Sequence, residues 1–154
     1  MTSPEPWEEL VAAENAYLAK RMALFAAGPE HQLRLALGAP RGVGTALRAL
    51  LDGPIELCMS LIDALFRVAV TTHSQVGVAR HVIARIDPGW LRVSLEPLVD
   101  SLLDRPGASW EDFRRTAELL AELGQRDLLD EVVRRADQSS DGDIREVGDD
   151  FRTH

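Results

Sequence analysis

The residue types able to do acid–base, nucleophilic or metal chemistry are sparse and scattered in this sequence. Four histidines are present: His31, His73, His81 and His154. His73 and His81 straddle a predicted helix start, so they do not share the i, i+4 face on which two helical imidazoles grip one metal ion. No His-Glu-x-x-His occurs. Cys58 is the single cysteine, which rules out an intramolecular disulfide and a cysteine-based zinc site. It stands beside Met59 and Ile62 in an apolar stretch, the setting of an inert buried thiol. Activation would need a neighbouring cation or a helix N-terminus, and the predicted start at Pro54 is the nearest one. Gly42-Val43-Gly44 is the densest glycine point. Leu47 stands where both a dinucleotide fingerprint and a phosphate-binding loop need glycine, and Arg48 where the latter needs lysine, so the segment reads as the start of a helix. Gly-x-Ser-x-Gly is absent. Two carboxylate groupings, Asp127/Asp130/Glu131 and Asp149/Asp150, are the support for an enzyme, and such spacings arise on most acidic helices. The expectation is a protein with no catalytic, metal or cofactor residues.

The elements that must position these side chains are predicted to be helical throughout. Apolar residues recur at helical spacing, no segment alternates for long with period two, and aromatics make up 5% of the chain. The first helix is predicted from Pro4 to Ala27, with Ser3 as its cap and its prolines in the first turn. Val11, Leu18, Met22 and Phe25 form one apolar stripe on it; Trp7, Leu10, Tyr17 and Leu24 form a neighbouring one. Gly28-Pro29 ends it, and a short helix from Glu30 to Leu37 follows, stopped by Gly38-Ala39-Pro40. Residues 4–40 are expected to close one end of the fold. Ile144, Val147 and Phe151 share one face of a predicted helix over 141–151 that closes the other end. Trp7, Trp90 and Trp110 all fall in predicted first turns, where stapling of helix starts into the core is the simplest role. Partner anchoring is the alternative.

The 154 residues suffice for one domain, and 45% hydrophobic content suffices for a full core. Seventeen basic against 25 acidic residues give a net charge of −8, which argues against non-specific nucleic-acid binding. The acidic start, Met1-Thr2-Ser3-Pro4-Glu5-Pro6-Trp7-Glu8-Glu9, lacks the pattern of a signal peptide. The most apolar stretch, Ile55–Val70, is interrupted by Glu56, Asp63 and Arg67 and does not suit a membrane span. A soluble cytoplasmic protein is expected. Lys20 is the one lysine among 17 cations, an arginine bias of the kind a GC-rich bacterial genome produces.

Between the two ends the chain punctuates itself. Breaks at Gly53, Gly89 and Gly124 are 36 and 35 residues apart, and a second series at Gly38, Thr72, Gly107 and Gly142 steps by 34, 35 and 35. Two interleaved series at one period predict three helix–turn–helix hairpins within 42–137: Gly42–Val70, Ser74–Asp104 and Ser109–Asp137. Asp87-Pro88 reads as an N-cap followed by proline at the first helical position, and Ser109 with Asp112 as a capping box. Pro97 is expected to kink its helix. This period, with Leu/Val/Ala-rich paired helices, resembles the HEAT-type α-helical repeats. The resemblance implies an all-α solenoid of stacked antiparallel hairpins, about 8–9 helices in all. It also implies binding to another protein rather than catalysis.

In such arrays the second helices line the concave face. Here they carry three polar strips: Glu56, Asp63 and Arg67; Arg92, Glu96, Asp100 and Asp104; Asp127, Asp130, Glu131, Arg134 and Asp137. The first helices carry Arg48, Arg80, Arg85, Arg114 and Arg115, predicted to lie outside. An acidic trough that receives a protein with a basic surface follows from this assignment, against the plainer alternative of solvated helix faces. A sharper version is an immunity or inhibitor protein against a basic toxin. A second class is a regulatory bundle with a small-molecule pocket lined by Met22, Phe25, Met59 and Phe66. Both a monomer and a dimer are compatible with the sequence.

Overall fold

The computed structural model describes residues 4–71 and 73–152. Thr72 and His154 lie outside the described residues, as does the proposed cap Ser3. Every element among the described residues is a helix. They are α1 (Pro6–Ala26), α2 (Glu30–Leu37), α3 (Val43–Leu51), α4 (Ile55–Ser60), α5 (Ile62–Ala69), α6 (Val76–Ala84), α7 (Pro88–Leu103), α8 (Trp110–Glu122), α9 (Arg126–Asp137) and α10 (Gly142–Phe151).

Local chemistry accounts for most boundaries. The Asp87 carboxylate accepts from the Trp90 N–H at 2.9 Å, and Pro88 follows at the first helical position. Ser109 and Asp112 exchange a full capping box: the Ser109 N–H donates to the Asp112 carboxylate at 2.7 Å, and the Asp112 N–H donates to the Ser109 hydroxyl at 3.3 Å. Asp141 accepts from the Asp143 N–H and opens α10. At α1 the N-cap is Glu5, whose N–H donates to the Glu8 carboxylate at 2.9 Å. The glycines of the periodic series do different jobs. Gly124 ends α8 with φ +66°, Gly53 is a buried turn with the Phe25 ring against it, and Gly89 lies inside the first turn of α7. First helices of the predicted hairpins start at Val43, Val76 and Trp110, steps of 33 and 34.

The sequence reading made 55–70 one helix; the structure divides it. Leu61 takes φ −104° and ψ 11°, which ends α4 and starts α5. The Ser60 carbonyl at the break accepts from the Arg34 guanidinium of α2 at 2.8 Å, and the Ser60 hydroxyl donates to the Leu57 carbonyl at 3.0 Å. Hydropathy spacing registers neither bond, so the break was invisible to it. This division brings the count among the described residues to ten helices against the expected eight or nine.

α3 lies against α6, α5 against both α6 and α7, α7 against α8, α8 against α9, and α10 against α8 and α9. α2 lies against α3 and α5. A single apolar cluster runs through these helices from Leu33 to Val147, with Leu47, Leu50, Leu65, Ile83, Leu95 and Leu120 fully enclosed. α1 meets the body only through its second half. None of its residues is buried, and half-buried Tyr17, Arg21, Leu24 and Phe25 mark where its last turns meet the body.

Candidate functional site

The face built by α5, α7 and α9 gathers most of the charged residues singled out in the sequence. Arg92, Glu96, Val99 and Asp100 of α7 face Asp127, Leu128, Glu131 and Arg135 of α9 across a groove of about 270 Å³. Asp63, Phe66 and Arg67 of α5, with its C-cap Val70, face Leu98, Ser101 and Leu102 of α7, with Arg105 and Asp112, across a second groove of about 600 Å³. Glu56 falls outside both; it borders a third cleft with Phe25, Glu30, His31 and Arg34. Asp130 and Arg134 sit exposed on α9 outside the α7–α9 groove.

Arginines run through this face and hold most of its acids. Arg135 donates to Asp100 at 2.5 Å, Asp104 at 3.0 Å and Glu131 at 3.0 Å. Arg92 reaches Asp127 at 3.4 Å and Glu96 at 3.8 Å. Arg34 holds Asp63 at 2.7 Å, with Arg67 at 3.4 Å. Arg134 pairs with Glu131, and Arg152 with Asp137 at 2.7 Å. Seven of the nine acids in the three strips thus have an arginine within 4.0 Å, all but Glu56 and Asp130.

Two carboxyls are shifted by these surroundings. Partial burial pushes Asp63 up, but the Arg34 hydrogen bond and charge, the Ala64 N–H and the Arg67 charge outweigh it, and the net result lies below the ordinary aspartate value. Asp112 follows the same logic: burial raises it, the Ser109 N–H, Arg105 and the Ser109 hydroxyl lower it, and the lowering wins. Arg34 is held further in its charged form, chiefly by its bond to Asp63.

Arg34, Arg105 and Arg135 were not singled out in the sequence. A usable signal existed for Arg135: Arg92/Asp127 and Asp100/Arg135 are both opposite charges 35 residues apart. The first-helix arginines need correcting too. Arg80, predicted outside, is 7% exposed; it donates to the Ala69 carbonyl at 3.1 Å, Glu122 at 2.6 Å and Glu118 at 3.2 Å. Arg85 turns inward and caps α3 from a distance, donating to the Leu50 carbonyl and to the Gly53 carbonyl at 2.8 Å. Arg114 pairs with Asp150 and Arg115 with Glu118, while Arg48 is exposed.

The isolated chemical candidates remain apart. Cys58 is fully buried; burial pushes its thiol up and outweighs the Arg85 charge 3.9 Å away, so it is not a ready nucleophile. The His73 imidazole accepts from the Gln75 N–H at 3.0 Å, and His31 and His81 are exposed on other helices. Among the described residues no group of three or more His, Cys, Asp or Glu is placed to hold a metal ion. Asp149 and Asp150 turn to different arginines, Arg152 and Arg114. Gly42 packs on the Ala36 backbone, where a Cβ would come within 2.8 Å of the carbonyl oxygen. Of the residues expected to line a small-molecule pocket, Phe25 and Phe66 line different clefts, and Met22 is 73% exposed. Trp90 packs against the core as a staple would, whereas Trp7 and Trp110 are exposed. No helix among the described residues is long and apolar enough to cross a membrane. No known protein family, curated protein or solved structure matches this chain.

Proposed function

We propose that this chain is a non-enzymatic, HEAT-like stack of helical hairpins that binds another protein across the face of α5, α7 and α9. The observation that carries the reading is a register. Arg92 meets Asp127 and Asp100 meets Arg135, each 35 residues on; Arg85 meets the Leu50 carbonyl 35 residues back; Arg114 meets Asp150, 36 residues on. Contacts between positions one period apart are what side-by-side repeats produce, because each unit's flank meets the same flank of the next.

Such a stack presents a broad face without a catalytic centre, and that suits it to recognition. α5, α7 with its C-cap Asp104, and α9 carry eight acids against Arg67, Arg92, Arg126, Arg134 and Arg135, and with Asp112, Arg34 and Arg105 included the face keeps a surplus of two negative charges. The partner that fits is a protein with a basic surface. Its arginines or lysines would exchange with the exposed internal pairs, which raises association rate and selectivity more than affinity.

A photo-crosslinking amino acid placed in cells of the native host tests this. Residues 96 and 101 on the grooved face should trap a common partner, and position 111 on α8 should not. Glu96→Lys combined with Asp130→Lys should abolish capture through position 101 and leave the urea midpoint unchanged. Capture through position 111 alone, or capture that survives the double reversal, refutes the reading.

A further inference from the structure

Nothing in the residues around Leu61 should stop a helix. Cys58-Met59-Ser60-Leu61-Ile62-Asp63-Ala64 contains no glycine and no proline, and Glu56, Ser60, Asp63 and Arg67 keep the spacing of one unbroken polar strip. Sharp interruptions of a helix have identifiable causes: proline, a glycine–serine pair, an inserted residue, or a side chain or water that enters the hydrogen-bond ladder. Here a side chain from another helix enters it. One terminal nitrogen of Arg34 donates to the Ser60 carbonyl at 2.8 Å, and the other to both Asp63 oxygens at 2.7 Å. In a continuous helix the Ser60 carbonyl would accept the N–H of Ala64, four residues on. The ladder of α5 instead opens with the Leu65 N–H on the Leu61 carbonyl at 2.9 Å, and the Ala64 N–H helps to stabilise the Asp63 carboxylate. Arg34 thus occupies the acceptor that would join α4 to α5, and Asp63 is its strongest anchor. Glu30 reaches the same guanidinium only at 3.5 Å, and Arg67 lies 3.4 Å from Asp63.

We propose that the Arg34–Asp63 pair is a latch: closed, it keeps α4 and α5 apart; open, it lets them join into one helix. The latch lies between two openings in the surface. Asp63 is partly exposed and lines the α5–α7 groove, whereas Arg34 and Ser60 line the cleft that Glu56 and Leu57 border, about 790 Å³ in volume. A guanidinium or ammonium group that takes Asp63 in the groove removes the two shortest bonds of Arg34. The Ser60 carbonyl then returns to the Ala64 N–H, and α4 realigns on α5 and carries Glu56 and Leu57 with it. A cation that binds Asp63 better in the open state shifts the population by that difference in affinity. This trigger rests on the basic partner proposed above. The latch itself is read on the free chain, so either can fail without the other.

Nuclear magnetic resonance of the full chain tests the latch. In the wild type the Leu61 Cα shift should be less helical than those of Leu57 and Leu65. Arg34→Gln should move it to the helical value. The same variant should raise the hydrogen-exchange protection of the Ala64 amide about fivefold relative to that of Leu65, the factor that a bond worth about 1 kcal/mol supplies. Asp63→Ala imitates an Asp63 already taken and leaves Arg34 in place; it should move both readings the same way. Asp63 is at the surface, so this second variant carries the test alone if Arg34→Gln does not fold. Wild-type readings in Asp63→Ala overturn the proposal, because Asp63 would then not be what keeps Arg34 on the Ser60 carbonyl. So do wild-type readings in a folded Arg34→Gln chain, or a Leu61 that is already helical in the wild type.

Discussion

Arg80 and Arg135 perform the same task in two layers of the molecule, and the difference between them is instructive. Arg80 ties the first-helix layer: from α6 it spans to the Ala69 carbonyl behind it and to Glu118 and Glu122 of α8 ahead. Arg135 ties the second-helix layer, from α9 to Asp100 and Asp104 at the end of α7. Arg80 is enclosed, while the Arg135 side chain keeps a quarter of its surface in water and Asp104 is largely exposed. An enclosed guanidinium has no water to fall back on, so its removal strands carboxylates and a carbonyl. An exposed one exchanges protein partners for water at little net cost. The inner layer is therefore the one whose ties the packing of these helices depends on most, and the outer layer is the one whose pairs exchange readily with water.

The largest effect should follow from breaking the inner tie. Arg80→Ala is expected to lower stability by about 3 kcal/mol, the low end for a broken buried pair, since half-exposed Glu122 rehydrates. A shift in urea midpoint at constant m-value measures it. Thr116 sharpens the same layer from the other direction. Its hydroxyl is fully buried on α8 without a hydrogen-bond partner, so Thr116→Val should stabilise by about 1 kcal/mol; a loss of stability would mean the hydroxyl is satisfied in solution. On the outer layer Arg135→Met should cost less, about 1 kcal/mol, and the difference from wild type should shrink in 1 M salt. A cost as large as that of Arg80→Ala would erase the distinction between the layers.

Acid should act on the groove that Asp63 and Asp112 line. Asp63 and Asp112 have folded values below their unfolded ones, so the stability they supply is present above the unfolded value and is lost as pH falls through the folded one. The urea midpoint should begin to fall below about pH 4. Asp63→Asn should flatten that fall and lower the midpoint at neutral pH. The smallest effect belongs to α1: Leu18→Glu is expected to move the chain's stability by no more than about 0.5 kcal/mol, because that side chain contributes nothing to the core.

Much of the helical layout could be read from the residues themselves. α2 begins at Glu30 and ends at Leu37 as its glycine and proline punctuation required, and Asp87 and Ser109 cap the helices they were assigned. Trp7 shows where this kind of reading fails. Its position in a first turn looked like that of Trp90, but a staple needs a body to fasten to, and the body ends near Tyr17. The face of α5, α7 and α9 was legible in its acids and not in its arginines. Helical spacing places residues on a face of one helix; it does not say that Arg34 of α2 reaches Asp63, 29 residues on.

What the sequence determined by itself is the helices and their order, because caps, glycines and apolar spacing act over a few residues and need no distant partner. The tertiary structure decided the break at Leu61, the inward turn of Arg80 and Arg85, and the exposure of the α1 stripe. Each of these depends on which backbone carbonyl, carboxylate or apolar flank another helix brings within reach, and that is set by packing across the whole chain.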